Sequence, residues 1–99
     1  MTIHKKTDGT KLELALEGRL DTTTAPQLEA EIRNSISDVT ELDFDFEELV
    51  YISSAGLRVL LSAQKIMNKQ GNMTIRNANE DIMEVFEVTG FVDILNIEE

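Results

Sequence analysis

Two adjacent hydroxyls, Ser53 and Ser54, stand between the apolar pair Tyr51-Ile52 and the small pair Ala55-Gly56, just ahead of the apolar run Val59-Leu60-Leu61. A serine here can do one of two things. It can cap the helix that the apolar run announces, accepting a bond from a backbone N–H of the first turn. It can also carry a phosphoryl group, because a helix N-terminus offers free N–H groups and the positive end of the dipole. Ser54 suits the cap. Three features leave the second reading open. Ala55 and Gly56 leave the hydroxyl uncrowded. Gly56 costs a helix about 1 kcal/mol relative to alanine, which capping does not require. Arg58 is a cation at the unfavourable end of the dipole. A pair with Glu47 or Glu48 is the plainer reason for Arg58, and a role in binding is the other.

Other chemistries are poorly supplied. His4 is the only histidine and there is no cysteine. A Ser-His-Asp triad and a zinc site therefore lack their parts. No Gly-x-Ser-x-Gly elbow occurs, and the five glycines are scattered singly, so no phosphate loop exists. Asp43 and Asp45 could be paired catalytic carboxylates, but two acids spaced by two on a strand read as its solvated face. An aspartyl-phosphate receiver would need a longer chain and a lysine near a strand end. The expectation is a non-enzyme without metal or cofactor.

The formal charge of −10 and pI near 4.4 disfavour nucleic acid and anionic membranes and would attract a basic protein partner. At 99 residues one domain is expected, and 41% hydrophobic residues suit a folded chain. With no cysteine, no signal peptide and only short aliphatic runs, a soluble cytoplasmic protein is the default.

The elements that must position the serines follow from patterning. "IHKKTDGTKLELALEG" reads as a hairpin turning on Asp8-Gly9, with Leu12, Leu14 and Leu16 alternating with Lys11, Glu13 and Glu17. Gly18 and Leu20 continue the buried face. "DTTTAPQLEAEIRNSI" reads as a helix with Pro26 in its first turn, a Thr24–Gln27 capping box and an apolar stripe Leu28, Ile32, Ile36. "ELDFDFEELVYI" is a strand with Leu42, Phe44 and Phe46 inward and Glu41, Asp43, Asp45 and Glu47 wet. A helix runs from Ser54 to about Gln70, apolar on more than one face, with Gly71 at its C′ position. "MTIRN" is a short strand. "NEDIMEVFEVTG" is a helix capped by Asn79 and stopped by Gly90, and "VDILNI" a last strand. The fold class expected is α/β with α+β character: a mixed sheet, an antiparallel N-terminal hairpin followed by βα units, and helices mainly over one face.

This pattern resembles the STAS domain family, and within it the small bacterial anti-sigma factor antagonists. The resemblance covers nearly the whole chain, one domain over residues 1–99. It is carried by "LEGRLDTTTAPQLEAEI" with Gly18, Leu20 and Asp21, by "LDFDFEELVYISSAGLRVLL", and by "FEVTGF". It implies phosphorylation at the serine two positions before the motif glycine, which is Ser54, with Ser53 as second choice. It implies that the unmodified protein, a monomer, binds an anti-sigma factor that is itself an ATP-using serine kinase, so freeing a sigma factor. A serine phosphatase restores the unmodified form. Asp21 belongs to the surface around the serine, and Asp21, Ser53, Ser54, Ala55, Gly56 and Arg58 are the expected docking residues. Many members carry aspartate where this chain has Ser53, and serine or threonine where it has Ala55. The alternative is a constitutively bound STAS adaptor in a transport or sensory complex, without phosphorylation.

Overall fold

Alternation at Leu12, Leu14 and Leu16 makes a strand with one face buried. The computed structural model describes residues 1–98 and shows what covers that face. Strands β1 (Thr2–Asp8), β2 (Lys11–Leu20), β3 (Glu41–Ile52), β4 (Asn72–Arg76) and β5 (Ile97–Glu98) form one sheet in that order. β1 is antiparallel to β2, and the later pairs are parallel. Each parallel step crosses through a helix: α1 (Ala25–Ser35), α2 (Ser54–Gln70) and α3 (Glu80–Thr89). Right-handed crossovers advancing one way across a sheet lay their helices on one face. Leu12, Leu42 and Met73 align across three strands, as do Leu14, Phe44 and Ile75, and all six are buried. Against them pack Leu28 and Ile32 of α1, Leu57, Leu60 and Met67 of α2, and Ile82 and Phe86 of α3.

Two register shifts in β2, between Ala15 and Glu17 and between Gly18 and Arg19, carry its pairing with β3 on to Leu20 opposite Ile52. β4 pairs only with Glu41–Asp45, so the second half of β3 lies beside β2 alone. That half ends at the serines.

Several local expectations change. The hairpin loop is Gly9-Thr10, because Asp8 still pairs with Lys11. Gly9, at φ 61°, takes the positive-φ first position of a II′-type turn. The Thr24–Gln27 box does not form; the Thr24 hydroxyl donates to Arg19 O and Gln27 donates to Met1 O. The outer face of β3 is not uniformly wet. Asp43 is only 7% exposed, flanked by Glu13 and Thr74 on neighbouring strands, with Lys11 Nζ 3.4 Å from its Oδ2. α2 does bury seven residues, although Ile66 reaches solvent. Gly71 does follow α2, but at φ 171° it is extended rather than left-handed. Its lack of a side chain has a steric reason: a Cβ there would overlap Thr40 O and lie 2.6 Å from the Thr40 carbonyl carbon. Asn79 caps α3 through Ile82 N–H at 2.8 Å, and Gly90 closes it at φ 80°, as read from the sequence. The last segment is mostly not strand. Phe91–Asp93 form a 3-10 turn on leaving Gly90, and among the described residues the strand itself is Ile97–Glu98, paired with β4.

Candidate functional site

β2 ends at Leu20 and β3 at Ile52, side by side, and the Ser53 N–H donates to Leu20 O at 2.9 Å. That bond ties the turn after β2 to the start of α2. Asp21 organises the turn. Its Oδ1 accepts from the Thr23 hydroxyl at 2.8 Å and from the Thr23 and Thr24 N–H groups at 3.0 and 3.1 Å. Its own N–H donates to Thr24 Oγ1 at 2.8 Å. Threonine and backbone donors favour the charged form. The Thr23 hydroxyl foremost, with desolvation opposing and the two N–H groups assisting, holds the Asp21 carboxyl below its ordinary 3.8. Asp21 is thus the acid that closes the α1 entry turn.

The two serines divide the roles differently from the expected assignment. Ser53 is the N-cap of α2: extended at φ −103°, ψ 176°, its hydroxyl accepts from Gly56 N–H at 3.4 Å and its carbonyl from Leu57 N–H at 3.0 Å. The cap lands one residue earlier than expected because the chain is still extended at Ser53. Ser54 is the first helical residue. It is exposed, and among the described residues its hydroxyl forms no hydrogen bond.

Gly56 is buried, so the reason expected for it changes. A Cβ there would stand 2.7 Å from Leu20 Cγ and 2.9 Å from Ile52 Cγ1. The glycine lets α2 approach the joined strand ends. Ala55 is half-buried against the core, and Arg58 is exposed. With Thr22, Ala25, Pro26, Glu29, Val59 and Ser62 they line a shallow depression between the N-terminal ends of α1 and α2. Arg58 is exposed, and among the described residues it has no ion pair, so the expected pair with Glu47 or Glu48 is absent. Five of the six residues singled out in the sequence therefore lie at or near the surface of one end of the molecule, and Gly56 supports them from beneath.

Two further residues join this end without a sequence signal. Arg19 Nε lies 3.7 Å from Asp21 Oδ2, and its guanidinium sits 4.1 Å over the Tyr51 ring, a cation–π contact. Their pairing depends on the shifted register of β2, which alternation alone does not reveal. Val50 beside them is 60% exposed, unusual for a valine in a strand. Among the described residues no cluster of three metal-ligating side chains occurs, and no helix is long and apolar enough to cross a membrane.

The sequence profile of the STAS domain matches residues 2–99. The chain belongs to the STAS domain family. Among the curated proteins to which this STAS domain is similar, BtrV of Bordetella bronchiseptica, named as a candidate anti-sigma factor antagonist, is 37% identical over 94 residues. That match takes in 93% of this chain and 80% of BtrV. The anti-sigma-B factor antagonist of Bacillus subtilis is 24% identical over 98 residues, 98% of this chain and 90% of that protein. In fold, this STAS domain matches the anti-sigma factor antagonist SpoIIAA in its unphosphorylated form with TM-score 0.78 at 20% identity, covering 99% of this chain and 88% of SpoIIAA. Bacillus SpoIIAA in its phosphorylated form gives 0.77 at 20% identity, covering 99% and 92%.

Proposed function

We propose that this STAS domain is an anti-sigma factor antagonist switched by phosphorylation of Ser54. The unmodified form binds an anti-sigma factor and frees a sigma factor. The anti-sigma factor is also the kinase, and a serine phosphatase resets the protein. The chain is the substrate of this chemistry and not its catalyst. The observation that carries the residue choice is the division of labour at the start of α2. The Ser53 hydroxyl is committed to the cap, whereas the Ser54 hydroxyl is exposed and uncommitted.

In the transfer, the bond between the ATP γ-phosphorus and the bridging oxygen of ADP breaks as Ser54 Oγ bonds to that phosphorus. The serine proton leaves to a base on the kinase. The product carries about −1.5 to −2 charges on the outward side of the helix start, where the dipole tolerates them. A domain with stability on the order of 5–15 kcal/mol keeps its fold. An interface closed over the same oxygen does not keep its partner. A buried uncompensated charge costs about 3–5 kcal/mol, or roughly two to four decades of affinity.

The test incubates the protein with ATP and a candidate kinase anti-sigma factor, maps the label by mass spectrometry, and measures binding before and after. Label at Ser54, loss of label in Ser54→Ala, and a weakened complex with an unchanged circular dichroism spectrum are expected. Ser54→Asp should release the partner incompletely. A phospho-Ser54 protein that binds as tightly as the unmodified one would overturn the switch, and label at Ser53 would overturn the assignment.

A further inference from the structure

The first turn of α2 contains no acidic residue, although a helix N-terminus favours one. One turn in from the helix start stands instead an exposed Arg58, still toward the positive end of the dipole. Side chains on a helix lean toward its N-terminus, so a residue covers the turn before its own Cα. Arg58 stands four residues after Ser54, the spacing at which helix side chains meet, and the patch it covers is the one Ser54 occupies. The acids within reach do not hold it. Glu29 lines the same depression, but its Oε1 is 2.7 Å from Arg33 Nη2. The other arginine at this end, Arg19, is drawn to Asp21 and stacked on Tyr51.

We propose that Arg58 is the receptor for the phosphoryl group on Ser54: an unpaired cation that strains the unmodified helix start and becomes a phosphoserine–arginine pair on modification. This rests on the Ser54 reading above. Its consequence is a reversal of sign. In the unmodified protein Arg58 opposes the dipole. In the phosphorylated protein it neutralises part of a dianion and draws the phosphate along the helix. An arginine fork suits phosphate oxygens and keeps its charge at any working pH. Stabilising the dianion lowers the second phosphate pKa from its usual value of about 6, so the pair is strongest above that pH and weakens as the phosphate protonates.

The test uses full-length protein with phosphoserine inserted at position 54 during translation, which needs no kinase. Wild type, Arg58→Gln, Arg58→Lys and Arg19→Gln are compared in both forms by thermal unfolding and by 31P NMR titration. Arg58→Gln should raise the melting temperature of the unmodified protein and lower that of the phosphorylated protein, each by about 2 °C. It should raise the phosphate pKa by about 0.3, the size of a helical i,i+4 ion pair. Arg58→Lys should restore part of the pKa shift, and Arg19→Gln should leave it unchanged. Melting shifts of the same sign in both forms, a phosphate pKa indifferent to Arg58, or a pKa that follows Arg19 would overturn the proposal. Failure of a kinase to label Ser54 counts against the proposed function alone. Normal labelling with a flat phosphate titration counts against Arg58 alone.

Discussion

Gly56→Ala separates two explanations for the glycine two residues after Ser54. Judged by helix propensity alone, alanine stabilises by about 1 kcal/mol. Judged by packing, the new methyl meets Leu20 Cγ at 2.7 Å, Ile52 Cγ1 at 2.9 Å and Leu20 Cδ2 at 3.0 Å. Leu20 is fully buried and held in the sheet, so its Cγ cannot swing aside as the tip of a surface chain would. Overpacking of this kind costs about 1–3 kcal/mol. The packing term is the larger, and a net loss of about 1 kcal/mol is expected, a fall of roughly 4–8 °C in melting temperature for a domain of this size. Leu20→Ala alone should cost about 2–5 kcal/mol through the cavity it leaves. In the double variant each change relieves the other, because the methyl added at position 56 enters the space vacated by the leucine side chain. Urea unfolding of the four proteins gives the coupling directly, and at least about 1 kcal/mol of favourable coupling is expected. Additivity within about 0.5 kcal/mol, or a Gly56→Ala protein more stable than wild type, would refute the packing account.

Gly71→Ala should be among the most damaging single changes in the chain, because its Cβ overlaps backbone rather than side chain and Thr40 cannot yield without disturbing the start of β3; a melting curve within a few degrees of wild type would contradict this. Asn79→Ala removes both the cap on Ile82 N–H and the bond to Leu49 O, and chemical denaturation should register a loss of about 1–2 kcal/mol. The Asp21 carboxyl, lowered first by the Thr23 hydroxyl, should titrate below 3.8 when followed by NMR in the folded protein. Its folded pKa is depressed, so its contribution to stability is present above the unfolded pKa and disappears as pH falls through the folded one. Asp21→Asn should therefore flatten the acid limb of the stability profile, and an unchanged limb would remove Asp21 from that role.

Much of the architecture is legible in the residues because local and long-range demands agree there. Leu12, Leu14 and Leu16 need one buried face wherever β2 is placed, and Asn79 with Gly90 brackets α3 through bonds made within a turn. The failures share one cause: a partner outside the local pattern takes over a group that the pattern had assigned. Thr24 looks like half of a capping box until Arg19 O and the Asp21 N–H claim its hydroxyl. Gly71 looks like a left-handed terminator until Thr40 comes against it. Asp43 looks solvated until it is set on a central strand beside Lys11. The candidate site is readable as a set of residues, since Ser53, Ser54 and the small pair after them are contiguous. The order within it is not. Whether Ser53 or Ser54 caps depends on where β3 stops being extended, and that depends on the bond from Ser53 to Leu20.

That bond also bears on how the surface comes into being. Ser53 and Leu20 are separated in the chain by the whole of α1 and β3, so their contact forms only when the first parallel crossover has closed. Closing such a loop is the slow, entropically costly part of building a parallel sheet. Neither the Asp21 turn nor the α2 cap can present its share of the surface while the other is missing. A chain that has made α2 but not paired β2 with β3 holds Ser54 on a helix with nothing beside it. Under the proposed function, a partner that contacts both halves recognises completed folding as well as phosphorylation. Native-state hydrogen exchange should find the Ser53 amide opening together with the β2–β3 ladder, and not with the short β4–β5 edge, which among the described residues pairs through Ile97 and Glu98.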